Sequence, residues 1–435
     1  MKKQLLLFAF LPFLMAKAQN PGDMAASKAV SETQDVQVEV LEFPEDKLTE
    51  SVMNSLARQG KSLDAINSDG SIYVIASGTT TRPSNMPGFI LSRNVAYSIA
   101  EMTAKMNLLR MAGEQITSGR GFEMIDDKII GEDPDQKKKA GMLKKAKMVM
   151  DKSLDKALSA LGVSDEEIQK LNESNKKAVF EQKYNESIRS FVSGMVKGCA
   201  VVRICEGEAG NNDYQVSVCM KYSPEFQSLS AMIKNRDDSQ AKQGKSTNSM
   251  DKILGMTPDK LVGRMGTYIT YDQNGDMVVY GFGQEEVNAS GTRASAEFSR
   301  AYSKARLSAV NNIKNFVAED MIADEVSETT EKFQQYADGT DSYFSQQKWS
   351  QAVQSKSTTL NLPTTMVRKW KGIHPVSKQN VAGVVVMWSP TIAARADELK
   401  ETFTEPEPAN GNNQQAQPQK TKKSNYTVTG EEEEL

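Results

Sequence analysis

Cys199, Cys205 and Cys219 are the three cysteines of the chain, and all fall on one predicted β-hairpin. If its turn centres near residue 210, Cys199 and Cys219 lie almost opposite each other, close enough for a cross-strand disulfide. Three semi-buried thiols packed as small apolar residues are the alternative, and the odd cysteine leaves an intermolecular link open. Their spacing is poor for zinc. The single histidine, His374, stands before Pro375 at a predicted strand end and reads as a turn residue. A Ser/His/Asp triad would have to be built on that one imidazole, and no Gly-x-Ser-x-Gly elbow supplies its nucleophile.

Two Gly-Lys-Ser tripeptides, at Gly60 and Gly244, invite a phosphate-loop reading, but the glycine needed five residues earlier is replaced by Ser55 and Ser239. Asp272 to Asp276 suggests calcium only superficially, because an EF-hand loop needs its glycine and glutamate at other positions. The run Lys137, Lys138, Lys139 with Lys144 and Lys145 could meet an anionic surface such as phospholipid headgroups, or could be a solvated helix face. Paired carboxylates for glycoside cleavage are a three-dimensional property that no pair of positions announces. The residues therefore predict no catalytic, cofactor-binding or metal site.

The 435 residues carry 53 Lys+Arg against 56 Asp+Glu, so nothing electrostatic points to a nucleic-acid partner. Lys2 and Lys3, an apolar run from Leu5 to Met15 and Ala16-Lys17-Ala18 have the form of a secretory signal peptide over residues 1–18. No later segment approaches the roughly 18 apolar residues of a membrane span. The expectation is an exported protein, periplasmic or extracellular, with no transmembrane helix in the mature chain.

What would position any site is a repeat. Ala96, Ala100 and Ala104 fall on Ala301, Ala305 and Ala309 at an offset of 205 residues, as do Asp69-Gly70 on Asn274-Gly275 and Gly78 on Gly283. Asn274-Gly275 between two β-rich runs is a strong hairpin signal, read as a type I′ turn with positive φ at both central residues. A helix with a small residue at every fourth position follows each hairpin, a stripe that lets its axis lie close to a sheet. A second hairpin closes each copy, 199–222 and 366–388, ending in Ser223-Pro224 and Ser389-Pro390, now at an offset of 166. The first copy thus holds 39 extra residues, a helical insertion near 120–180 in which Ser164 and Glu167 form a capping box.

The resulting fold class is α+β: two repeated units of β-hairpin, long Ala-striped helix and β-hairpin. The first spans 19–234 and opens with a strand at Val36, Val38 and Val40 and a helix marked by Leu48, Val52 and Leu56. A linker covers 235–256, the second unit 257–400, and a low-complexity tail 401–435.

With Gly78, Ala96, Ala100 and Ala104 in one copy and Gly283, Ala301, Ala305 and Ala309 in the other, the chain resembles, in tandem, the lipoprotein-20 family and the N-terminal domain of flagellar assembly protein T. It departs from them in the insertion and in lacking a lipobox cysteine. The resemblance implies a non-catalytic cell-envelope component and carries over no catalytic residue. The expected function is contact with an unknown envelope protein, with itself or with a membrane surface. The alternative is an envelope-polymer hydrolase with a carboxylate pair between the repeats.

Overall fold

The computed structural model describes residues 43–117, 134–210, 213–235, 244, 246–288, 293–328 and 342–404. Residues 1–18, read as a signal peptide, the strand expected at Val36 to Val40 and the tail beyond 404 lie outside them. The structure is α+β, with two antiparallel sheets.

The first half runs α1 (Pro44–Ala57), β1 (Ile72–Thr79), α2 (Phe89–Thr117), α3 (Pro134–Met150), α4 (Leu154–Ala160), α5 (Asp165–Gln169), α6 (Glu173–Ser193), β2 (Cys199–Glu208), β3 (Tyr214–Tyr222) and α7 (Pro224–Asn235). The second half runs α8 (Ser249–Leu254), α9 (Pro258–Val262), β4 (Gly266–Tyr271), β5 (Met277–Val287), α10 (Ala294–Glu328), α11 (Ser342–Thr359), β6 (Thr365–Ile373), β7 (Asn380–Trp388) and α12 (Pro390–Thr404). Strand orders are β1-β3-β2 and β4-β5-β7-β6.

The two sheets share one irregularity. Val202 is the extra residue where β2 slips against β3, between the pairs Val201↔Met220 and Arg203↔Cys219. Val367 does the same in β6, between Met366↔Val386 and Arg368↔Val385. Each long helix packs on the face its small residues allow. A Cβ on Gly78 would fall 2.1 Å from the Ala96 carbonyl oxygen, and one on Gly283 would fall 1.9 Å from that of Ala305. Glycine is required at both because helix backbone touches strand backbone there. Ala305 is the counterpart of Ala100, not Ala96, so α10 sits one turn further along its strand than α2 does. The opposite face of the first sheet is covered by Leu48, Val52 and Leu56 of α1. In the second half Ile253 and Leu261, at the same 205-residue offset from Leu48 and Leu56, are buried in the shared core.

Several expectations need correction. The Asp69-Gly70 hairpin of the first half is reduced to one bridge, Ile66↔Ile72, so among the described residues the first sheet has no counterpart of β4. Neither turn is type I′. Gly70 (φ 78°) and Gly275 (φ 83°) are left-handed, but Asp69 and Asn274 are not among the non-glycine residues with positive φ. Each loop is one residue longer than a two-residue turn, closed by Asn67 N to Ser71 O or Asp272 N to Asp276 O around three residues with glycine in the last. Each second hairpin is preceded by a helix that the repeat reading omitted, α6 or α11, and followed by another, α7 or α12, with Pro224 or Pro390 in its first turn. Part of the stretch read as linker is α8. The capping box at Ser164 and Glu167 is formed, and α3 to α5 lie in the stretch near 120–180 read as a helical insertion, of which residues 120–133 are outside the described ones.

Candidate functional site

Two clusters of charge join the halves. In the first, Arg93 of α2 is fully buried and donates through Nε and Nη2 to the Glu206 carboxylate of β2, the latter at 2.7 Å. Its remaining donors cross to the second half, to Gln284 Oε1 at 3.2 Å and the Val262 carbonyl at 2.9 Å. Gln284 in turn donates to the Val262 and Arg264 carbonyls at 2.8 and 2.7 Å. Burial opposes the Arg93 charge, but Glu206 outweighs it and holds the guanidinium ionised. Beside this clasp, the two carboxylate oxygens of Glu286 accept from the amides of Gly88 and Ile90 at 2.9 and 3.2 Å, placing negative charge at the N-terminus of α2.

His374 stands against the same seam. It is the turn residue expected, yet it is fully buried, its ring 5.2 Å from Phe89 and 5.9 Å from Tyr214 of the other half. Its Nδ1 accepts from the Ser377 amide at 3.2 Å, while Nε2 has no hydrogen-bond partner among the described residues. Burial, with Arg93 and Lys378 adding to it, pushes the imidazole down to about 2, so it is neutral.

The second cluster opens into a cleft of about 300 Å³. One face of α2 brings Ser98, Glu101, Met102 and Lys105 to it, and one face of α10 brings Asn311, Asn315, Phe316 and Glu319. The start of β4 and Gln354 and Ser357 of α11 complete the wall. Lys105 is 3% exposed and donates to Glu101 at 2.8 Å and Glu319, itself 4% exposed, at 2.5 Å. Two carboxylates thus share one ammonium. Burial disfavours the Lys105 charge, but the two acids raise its affinity for the proton above the usual lysine value. Burial pushes the Glu319 carboxyl up, against Lys105 and with Glu101, to about 7. The floor is held open by Gly266, where a Cβ would fall 2.1 Å from the Tyr97 hydroxyl.

Sequence reasoning missed this cleft because it followed apolar spacing. The usable signal was polar: Ser98, Glu101 and Lys105 recur at helical intervals beside the alanine stripe of α2, as do Asn311, Asn315 and Glu319 on α10.

The cysteines are not arranged as expected. Cys199 pairs with Tyr222 and Cys219 with Arg203, because the loop closes with Glu208↔Tyr214 and Val202 adds a residue to β2. Cys199 packs in the core beneath α2, whereas Cys205 and Cys219 lie under α1 on the other face. All three are buried and none is joined in a disulfide, so a Cys199–Cys219 bridge is not formed. Of the lysines singled out, Lys137, Lys138 and Lys145 are exposed on α3 and Lys139 and Lys144 are half-buried. No group of His, Cys, Asp and Glu able to hold a metal occurs among the described residues, nor any helix long and apolar enough to cross a membrane.

Residues 139–235 are similar to a family described as a domain of unknown function, DUF6844. The matched stretch takes in most of α3 and runs through both strands of the cysteine hairpin to the end of α7. No curated protein matches the chain. A crystal structure of a hypothetical protein, FTT1539c, from Francisella tularensis is similar in fold, with a TM-score of 0.52 at 14% identity, covering 85% of this chain and 99% of that one. The similarity therefore extends over both halves rather than one.

Proposed function

We propose that the protein is a non-catalytic, exported cell-envelope component that works by surface contact, with α3 to α6 as its contact arm. The observation supporting this is the arm's construction. Ala146, Ala157, Leu158, Leu161, Ile168 and Phe180 form an apolar cluster of their own, apart from those of the sheets. This satellite core joins the arm's helices to one another, while Ala140 and Leu143 of α3 and Ile188 and Phe191 of α6 fasten it to the main core. Outside it lie exposed Lys138 and Lys145, with Met148 75% exposed. A basic face with an apolar side chain beside it suits an anionic envelope surface. The leader-like residues 1–18 and the resemblance to lipoprotein-20 domains favour the same compartment.

Co-sedimentation with vesicles containing anionic lipid tests the reading, alongside crosslinking in intact cells. Binding should weaken in the Lys138→Glu, Lys145→Glu double variant and with added salt. Unchanged binding and an unchanged crosslinking pattern would overturn the arm's role.

One observation favours a second reading, an envelope-polymer hydrolase: Glu101 and Glu319 face one another between the halves, and Glu319 can carry a proton near neutral pH. Lys105 lies within hydrogen-bonding distance of both carboxylates. Hydrolysis of an envelope glycan abolished by Glu319→Gln would establish this alternative.

A further inference from the structure

The cleft combines a charge imbalance with walls that carry no other charge. Glu101 and Glu319 offer two negative charges to the single ammonium of Lys105, and the surplus falls on Glu319, where water is largely excluded. Uncompensated charge in such a place is costly. The remaining lining groups are neutral, with the amides of Asn311, Asn315 and Gln354 offering both donors and acceptors. The space, about 300 Å³, is at the lower end of small-molecule sites.

We propose that this cleft binds a small hydroxylated primary amine, its ammonium accepted by Glu319 and Glu101 and its hydroxyls by the amides of α10 and α11. A cation cancels the surplus charge. A neutral polyol of the same shape leaves it in place, and an anion adds to it. Donor-acceptor amides suit hydroxyl groups better than a bare alkyl chain, which would leave them unpaired.

The titrating group is surrounded by Tyr97, Glu101 and Lys105 of α2 and Cys199 at the start of β2, with β4 and α11 contributing neutral cleft groups. Tyr97 and Cys199 are buried and pushed upward by that burial, so both stay neutral in the working range. Glu319 is then the group that must release a proton when an ammonium arrives.

Titration calorimetry of the full chain with glucamine, sorbitol and gluconate tests the site, because these share a carbon chain and differ in charge. Glucamine should bind, and more tightly than the other two. Its amine stays protonated between about pH 6 and pH 8, so its affinity should rise about tenfold over that interval as Glu319 ionises. Glu319→Gln should weaken binding and flatten the pH dependence. Asn311→Lys, at an exposed position of the wall, should weaken glucamine binding without disturbing Lys105 or Glu319. The proposal is overturned if sorbitol or gluconate binds as tightly as glucamine, if none of the three binds, or if Asn311→Lys leaves glucamine affinity unchanged.

Discussion

Lys105 of the first half and Glu319 of the second meet across the seam at 2.5 Å, both almost wholly out of water. A pair of long side chains drawn from positions more than two hundred residues apart in sequence is ordered here, together with the partly exposed Glu101. Such a contact ties the relative placement of α2 and α10 to charge as well as to shape. Its cost is that neither partner can be removed alone without stranding the other.

Replacing Lys105 by Met should therefore destabilise the fold by about 3–5 kcal/mol, since the buried Glu319 carboxylate would be left beside Glu101 with no counter-charge. Adding Glu319→Leu to that variant should restore much of the loss, because a neutral pair of similar size needs no compensation. Urea unfolding of the wild type, the two single variants and the double variant measures the coupling. Additive effects would show that the contact carries no energy of its own.

Stability should fall on both sides of a maximum. Glu319 is raised from 4.5 to about 7, so the stability it contributes is present below its unfolded value and is lost as pH rises through 7. His374 is lowered from 6.5 to about 2, so its contribution is present above 6.5 and is lost as pH falls from there toward 2. Thermal melts should show the alkaline loss reduced in Glu319→Gln and the acid loss reduced in His374→Phe. The chain has one histidine, so its ring resonances are unambiguous. They should report a neutral imidazole at about pH 5, and a charged ring there would contradict the buried placement.

The parts of this architecture that were legible in sequence are those written in local pattern. Ala96 to Ala104 and Ala301 to Ala309 announced two helices lying close to a sheet, whereas Gly78 and Gly283 were legible only as matching positions, and their contact with helix backbone came from the structure. The Ser164 capping box was readable because both partners are three residues apart. The register of β2 against β3 was not, since it depends on one bulged residue, Val202, that looks like any other β-branched residue. Nor was the cleft: Glu101, Lys105 and Glu319 gain their chemistry only from how two helices sit across the seam. Arg93 and Glu206 were invisible for the same reason, each being an ordinary surface type until packing encloses it.

The close approach at Gly283 makes a sharp contrast available. Gly283→Ala places a methyl against the Ala305 carbonyl, which cannot rotate away, and should cost about 3 kcal/mol. Ala305→Leu should overpack the same seam by about 1–3 kcal/mol. Gly113 lies within α2 with open space around it, so Gly113→Ala should instead stabilise by about 0.5–1 kcal/mol. Equal effects at 113 and 283, measured by thermal melts, would show that helix propensity rather than contact governs both.

The thiols should behave as small apolar side chains. Cys219 and Val385 occupy the same station beside the bulges of their hairpins, opposite Arg203 and Arg368. Cys219→Val should therefore cost less than about 1.5 kcal/mol, being a swap of similar volume under α1. Burial raises the Cys199 thiol well above its ordinary value, which removes the reactive thiolate. In the folded protein a thiol-specific reagent should label Cys199 only after denaturant is added, and mass spectrometry without reductant should find no Cys199–Cys219 peptide. Rapid labelling of Cys199 under native conditions would mean that the core between α2 and the first sheet opens far more readily than its packing allows.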